Sequence, residues 1–179
     1  MAAIDGGGQL GKRVRIAGWG AAGCLLLLPW VAMHFTEEVD WGPEDFVFAA
    51  VLIVGVGVAL ELAVRLSRNL AYRAGAAAAL AAVFLMTWAN AAVGIIGAVN
   101  NPINAIFPAI VLVALLGSVI ARFRARGMAI AMAVAGGAQL VAVAIGLTQD
   151  VRGALLSGIF VLLWATSAAL FATAARERT

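Results

Sequence analysis

The sequence is poor in the side chains that most enzyme and metal sites require. It contains a single cysteine, Cys24, and a single histidine, His34. One cysteine excludes an intramolecular disulfide and a metal site of several cysteines, and one histidine excludes a haem held by two histidines. The sequence also lacks a His-Glu-x-x-His pair, a Gly-x-Ser-x-Gly turn and a phosphate-binding loop. We therefore expect neither an enzyme nor a bound cofactor.

Charged residues are scarce as well. They make up 12% of the 179 residues, whereas 64% are hydrophobic, and the mean hydropathy is +1.04. These values lie far outside the range of a soluble domain, so we expect the lipid bilayer to be the main partner of the chain. The pI of about 10.0 could suggest nucleic acid. The basic residues lie at the ends of apolar segments rather than on one surface, however, and we expect no nucleic acid partner.

Six apolar segments are each close to the roughly 20 residues that a helix needs to cross the hydrocarbon core. They predict an all-α fold with one transmembrane domain at 16–175, between cytoplasmic tails at 1–15 and 176–179. The first segment also fits a secretory signal peptide. It runs through Pro29 and Trp30 without a clear cleavage site, so we interpret it as a span. The predicted spans are 16–35, 46–66, 74–99, 103–121, 128–147 and 153–175.

The basic residues predict the orientation of these spans. Six spans place both termini on one side, and Arg152 is then the only one of the 12 Lys and Arg residues on the other side. Basic loops remain in the cytoplasm, so we expect both termini there, in a bacterial inner membrane. Most acidic residues fall on the outer side, chiefly in the loop between the first two spans.

This acidic loop could be a weak cation site, because carboxylate and imidazole groups are ligands for divalent cations. A solvated loop anchored by Trp41 at the headgroup level is the stronger interpretation, since the spacing matches no specific metal motif. We therefore expect no resident metal. The candidate ligands are His34, Glu37, Glu38, Asp40, Glu44 and Asp45.

Glu61 is the charge that lies inside a predicted span, ahead of its last turn. Carboxylates within membranes are candidates for proton or ion sites. Arg65 follows four residues later, toward the cytoplasmic end, where it could neutralise Glu61 while its guanidinium extends to the interface. We favour this structural ion pair over an ion site.

A stripe of small and polar residues runs along the predicted third span. On a 3.6-residue period, one face carries Thr87, Asn90, Gly94, Gly97 and Asn101. Asn90 is expected near the midplane, where its amide needs a partner on a neighbouring helix. Gln139 lies on a similar stripe of the fifth span and is the expected partner. This interpretation predicts that the third and fifth helices pack together.

Two segments, 80–92 and 156–168, share Leu, Phe, Trp and Ala positions. The predicted topology runs them in opposite directions, as in the 3+3 inverted repeats of many transporters. Alanine-rich helices also match by chance, and the second and fifth spans do not align at the same offset. The stripe can therefore be a solute path or a set of interhelical contacts, and its candidate residues are Thr87, Asn90, Asn101, Asn104 and Gln139.

Several short motifs occur together between about residues 25 and 126. They are Val39-Asp40-Trp41-Gly42, Trp88-Ala89-Asn90, Gly94-Ile95-Ile96-Gly97 and Asn101-Pro102-Ile103-Asn104. In combination they resemble a group of short, uncharacterised bacterial inner-membrane proteins. The resemblance implies a bacterial inner-membrane origin and a functional interest in the Trp-x-Asn and Asn-Pro-x-Asn segments, but it implies no particular activity.

Two functions are compatible with this sequence. The first is a non-enzymatic membrane component that packs against or regulates a protein partner or a second copy of the chain. Short loops and scarce buried charge favour it. The second is a small transporter or channel for an uncharged or cationic solute, favoured by the aligned segments, the polar stripe and the acidic outer face. We expect the first.

Overall fold

The computed structural model describes residues 6–177. Within this range six helices are each long and apolar enough to cross a membrane, which confirms the predicted all-α fold with six spans. Residues 1–5 and 178–179 of the predicted tails lie outside the described residues, and the helix begins at Gly6 rather than after the first tail. The helices are α1 Gly6–Ala32, α2 Pro43–Leu66, α3 Leu70–Ala92, α4 Ile106–Ile120, α5 Ala125–Gly146 and α6 Val151–Arg176, and a 3-10 turn, Pro102–Ala105, precedes α4.

Helix α3 differs most from the prediction, which extends it to residue 99. It ends at Ala92, and Gly94 and Gly97 adopt φ angles of 72° and 63°. These left-handed angles cannot continue a right-handed helix. The predicted stripe is therefore wrong beyond Asn90, and Asn90 lies in the last turn of α3 rather than near the middle of a span.

The chain divides into two compact units, Met1–Ala59 and Leu60–Thr179. In the first unit, the indole of Trp19 on α1 lies against Gly57 on α2, so that a Cβ added at Gly57 would be 3.1 Å from the ring. The backbone N–H of Gly42 donates to Asp45 Oδ2 at 2.9 Å. This bond closes the first turn of α2, where a negative charge is favourable.

In the second unit, α6 packs against both α5 and α3, and α4 packs against α5. Large aromatic side chains of α6 lie against glycines of its neighbours. A Cβ added at Gly136 would be 3.3 Å from Trp164 Cβ, and one at Gly75 would be 3.3 Å from the ring of Phe171. Trp164 and Phe171 are both 0% exposed. Small residues on α3 and α5 therefore make room for the aromatic residues of α6, as is typical of membrane helix packing.

The ends of three helices meet around Asn69. They are the C-terminal ends of α2 and α6 and the N-terminal end of α3. Asn69 Oδ1 accepts from the N–H of Tyr72 at 2.9 Å and caps α3, while its Nδ2 donates to the carboxylate of Glu177, just after α6. Arg73 donates to the carbonyl groups of Val64 and Ser67 at 2.9 and 2.8 Å. These carbonyls at the end of α2 would otherwise lack partners.

Helices α4 and α5 approach each other closely next to their connecting turn. A Cβ added at Gly117 would be 2.8 Å from Ala131 Cβ, and one at Gly127 would be 2.6 Å from Ala121 Cβ. The turn contains Arg122 and Phe123 in the left-handed region, at φ 49° and 56°. Such angles are uncommon for residues other than glycine.

The structure does not confirm the 3+3 inverted repeat. The boundary between the compact units falls within α2 rather than between α3 and α4. Residues aligned in the two segments also have different surroundings. Trp164 is fully buried, whereas Trp88 is half-buried and stacks on Phe84 with ring centroids 5.8 Å apart.

Candidate functional site

One buried side chain, Asn104, holds the loop between α3 and α4. It is 4% exposed, and its Oδ1 accepts from the N–H groups of Ile95 and Ile96 at 3.2 and 2.9 Å. Its Nδ2 donates to the carbonyl groups of Ile96 and Ala98 at 3.3 and 3.0 Å. Both ends of the amide are thus occupied by the backbone of the chain itself.

The sequence around Asn101 explains how Asn104 reaches this position. Asn101 Oδ1 accepts from the N–H of Ile103 at 3.1 Å, and Pro102 occupies the first position of the 3-10 turn. Proline suits this position because the first N–H groups of a helix lack intrahelical partners. The N–H of Asn104 then donates to the carbonyl of Asn101 at 2.9 Å. The Asn-Pro-x-Asn segment is therefore a capped turn that directs Asn104 toward the preceding loop.

The same loop is bonded to the turn between α5 and α6. Asp150 Oδ1 accepts from the N–H groups of Arg152 and Gly153, both at 3.1 Å, and caps α6. Asp150 Oδ2 accepts from the N–H of Gly97 at 3.0 Å. Asn101 Nδ2 donates to Gln149 Oε1 at 3.1 Å. We call Asn101, Asn104, Gln149 and Asp150 the loop cluster.

Beneath the loop cluster, Ile96 fills the space between the ends of α5 and α6. It is 0% exposed, and a Cβ added at Gly146 would be 2.7 Å from Ile96 Cδ1. A Cβ added at Gly153 would overlap the carbonyl oxygen of Ile95. Gly153 is therefore required for the loop to approach α6, whereas a side chain at position 146 would displace the end of the Ile96 side chain.

The hydrogen bonds of the loop cluster lower the pKa of the Asp150 carboxyl group from its ordinary value of 3.8. The N–H of Gly153 has the largest effect and the N–H of Gly97 the next, since each stabilises the charged form. Desolvation opposes them, and Arg152 adds a smaller lowering through its N–H and its charge. The loop cluster therefore holds a carboxylate rather than a carboxylic acid at neutral pH.

Three buried polar atoms in the second unit lack a hydrogen-bond partner among the described residues. They are Asn90 Oδ1, Gln139 Oε1 and Trp164 Nε1. The Nε2 of Gln139 donates to the carbonyl of Ser157 on α6 at 3.2 Å. Thr87 is half-buried, one turn before Asn90 on α3.

The predicted pairing of Asn90 with Gln139 is therefore wrong. It assumed that the third and fifth helices pack together, whereas α3 and α5 each pack mainly against α6. The fully buried Gln139 instead bonds to α6. The periodicity of α3 and α5 shows which face of each helix is polar. It does not show that a third helix, α6, is the neighbour of both.

The predicted ion pair on α2 is confirmed. Arg65 Nη2 lies 3.1 Å from Glu61 Oε2, and the side chain of Arg65 is 68% exposed while that of Glu61 is 26% exposed. The carboxylate is neutralised within its own helix and lies one turn from the helix end. This geometry is the one expected of a structural pair that reaches an interface.

The acidic loop does not assemble the weak candidate cation site. Among residues 6–177, no three His, Cys, Asp or Glu side chains are grouped so that they could hold a metal ion. His34 Nδ1 lies 2.9 Å from the carbonyl of Trp30, and the two rings pack edge to face at 4.8 Å. Asp45 is used by the first turn of α2. The other candidate ligands, Glu37, Glu38, Asp40 and Glu44, also belong to no such group.

Sequence reasoning identified Asn101 and Asn104 but missed their partners. Asp150 immediately precedes α6, and aspartate is a preferred N-cap residue, so its role in capping could have been predicted. Its second role, as the acceptor for Gly97, depends on a contact between residues 53 positions apart. The same is true of Gln149 and Ile96, and no local pattern signals such contacts.

The length and apolar composition of the six described helices define the chain as a multi-pass membrane protein. No family model, curated protein or solved structure matches this chain. Its role therefore has to be inferred from the loop cluster, the helix surfaces and the distribution of charge.

The lowered pKa of Asp150 predicts how the stability of the loop cluster depends on pH. Because the folded-state pKa lies below 3.8, the stabilisation is complete above this value and is lost as the pH falls through the folded-state pKa. In Asp150→Asn the charge is absent. The single amide oxygen cannot accept hydrogen bonds both from the first turn of α6 and from the N–H of Gly97. We expect this variant to melt at a lower temperature than the wild type at pH 7, with the difference shrinking below about pH 3.8.

Thermal unfolding of the purified protein in detergent, followed by circular dichroism between pH 7 and pH 3, measures this difference. Asp40→Asn is the matched control, because Asp40 is exposed in the loop before α2 and should melt like the wild type. Melting curves of Asp150→Asn and wild type that stay parallel over the whole pH range would contradict the account.

Proposed function

We propose that this chain is a non-enzymatic component of an assembly in a bacterial inner membrane, where it packs against or regulates a protein partner or a second copy. Both termini lie in the cytoplasm in this proposal. The basic residues support the orientation, since Arg152 alone of the 12 Lys and Arg residues falls on the outer side of the six spans. The resemblance to bacterial inner-membrane proteins supports the location.

The internal use of the polar side chains carries this proposal. Asn101 and Asn104 of the candidate path bond to Gln149 and to the loop backbone, and Gln139 bonds to the carbonyl of Ser157. A solute path needs polar groups that exchange protein partners for the solute. Groups that are already used to hold loops and helices together support a structural role instead.

The surface of α1 supports a helical partner. Within the unit Met1–Ala59, Cβ atoms added at Gly20 and Gly23, which lie about 60° apart on one face of α1, would have no neighbour within 4 Å. These glycines have a cost, because glycine lowers the stability of a helix interior by roughly 1 kcal/mol relative to alanine. In membranes, small residues on a helix surface allow a second helix to approach closely. A partner helix against this surface would account for them.

One observation favours the transporter as a second candidate. Asn90 Oδ1, Gln139 Oε1 and Trp164 Nε1 are buried without partners among the described residues. An unpaired polar group in a membrane interior is costly, and such groups are often functional. A solute or water molecule that bonds to them would account for the unpaired atoms.

A substitution on α1 tests the assembly. Gly20→Leu adds a large side chain where a partner helix would approach, and we expect it to reduce the assembled fraction at least about tenfold, as is usual when a central interface position is disrupted. The measurement is migration on a native gel after gentle extraction from membranes, compared with the 18.3 kDa chain. Gly137→Leu on α5 is the control, since Gly137 also has open space around it. Wild-type protein that migrates as a monomer would refute the proposal.

Thiol labelling tests the second candidate. In a Cys24→Ser background, the structural role predicts that Asn90→Cys reacts with a small polar thiol reagent at least about a hundredfold more slowly than Asn100→Cys, because a buried group reacts only when the structure opens locally. Asn100 is exposed in the loop after α3. Leu85→Cys, on the exposed apolar face of α3, is the unreactive control, because a polar reagent does not enter the lipid that would cover this face. Labelling of Asn90→Cys as fast as that of Asn100→Cys would instead support a solute path.

A further inference from the structure

An open apolar groove runs between α4 and α5 and ends at the turn that joins them. Its volume is about 480 Å³, within the usual range of sites for small ligands. The close approach of the helices at Gly117 and Ala131 lies along this groove. Larger apolar side chains line it on both sides, among them Val113, Ile120, Ile130 and Val134.

Three arginines lie where the groove ends. Arg122, Arg124 and Arg126 are exposed, and none of them forms an ion pair with another described residue. The turn that carries them is well defined, since the hydroxyl group of Tyr72 donates to the carbonyl of Phe123 at 2.8 Å. A concentrated positive charge therefore adjoins one end of an apolar groove.

The start of α5 adds to this positive potential. Its N-cap residue, Arg124, makes no side-chain hydrogen bond to the first turn, and this turn contains no acidic residue. The free N–H groups and the helix dipole at such an end favour an anion. Gly127, in this first turn, also lines the groove, so the helix end and the groove are continuous.

We propose that this groove binds an anionic phospholipid, with one acyl chain between α4 and α5 and the phosphate at the three arginines. The apolar groove leads to the arginines in the same order as the acyl chain of a phospholipid leads to its phosphate. A hydrophobic helix of a partner would match only the groove. From Gly127 to Val134 the groove extends roughly 10 Å at 1.5 Å per residue, which suits the upper part of an acyl chain. Arginine binds phosphate through two parallel hydrogen bonds, and basic pockets between membrane helices bind anionic headgroups.

Native mass spectrometry of the full chain, titrated with phosphatidylglycerol or with phosphatidylcholine of the same acyl chains, measures this binding. We expect one phosphatidylglycerol to bind at least about tenfold more tightly than phosphatidylcholine. Changing Arg122, Arg124 and Arg126 together to glutamine should remove this preference. The matched control changes Lys12, Arg13 and Arg15 to glutamine, which removes the same charge from α1 and should leave the affinity within about twofold.

A second pair of variants tests the groove itself. Ile130→Trp places a bulky ring in the groove and should lower the affinity for phosphatidylglycerol at least about tenfold. Leu140→Trp, on the exposed surface of α5, should leave this affinity unchanged. Soluble glycerol phosphate should fail to displace the lipid, because it lacks the acyl chain. Displacement by glycerol phosphate would identify a free-phosphate site instead.

Two further results would overturn the proposal. Equal losses of affinity in the two triple variants would mean that general charge, rather than the groove, attracts the lipid. Disulfide-linked dimers of Ile130→Cys in a Cys24→Ser background would mean that a second copy of the chain occupies the groove.

Discussion

The backbone between α3 and α4 must find hydrogen-bond partners without forming an α-helix, and the rest of this loop depends on how it does so. A backbone group left unpaired away from water costs several kcal/mol in hydrocarbon. The single amide of Asn104 supplies two acceptor and two donor contacts to this segment. Once the loop is held in this way, Ile96 is fixed at 0% exposure against Gly146, and the N–H of Gly97 faces Asp150.

The two ends of the second unit are held by different means. At one end, the loop cluster joins the α3–α4 loop to the α5–α6 turn through Gln149 and Asp150. At the other end, Asn69 bonds to both the first turn of α3 and Glu177. Between them, aromatic side chains of α6 pack against glycines of α3 and α5. Two buried hydrogen bonds join the same helices: Gln139 Nε2 donates to the carbonyl of Ser157, and Ser167 Oγ donates to the carbonyl of Gly75. Helix α6 is thus held by polar contacts at its ends, and by close packing with two buried hydrogen bonds along its length.

The sequence was sufficient for the number of helices because apolar length and charge are local properties. It was also sufficient for the Glu61 and Arg65 pair, which lies within one helix. It was insufficient to locate the end of α3, because Gly94 and Gly97 are compatible with the apolar pattern of the helix and also with a loop. Only their positive φ angles show that the helix has ended before them. The partner of Gln139 could not be predicted, because it depends on the order in which the helices pack.

Backbone hydrogen exchange at Ile95 and Ile96 tests the central claim, that Asn104 holds this loop, most directly. The account predicts that both amides exchange at least about a hundredfold more slowly in the wild type than in Asn104→Ala, in which they lose their acceptor. Asn100→Ala should exchange like the wild type, because Asn100 is exposed in the same loop. Slow exchange of both amides in Asn104→Ala would show that the loop is held by other contacts and would contradict the account.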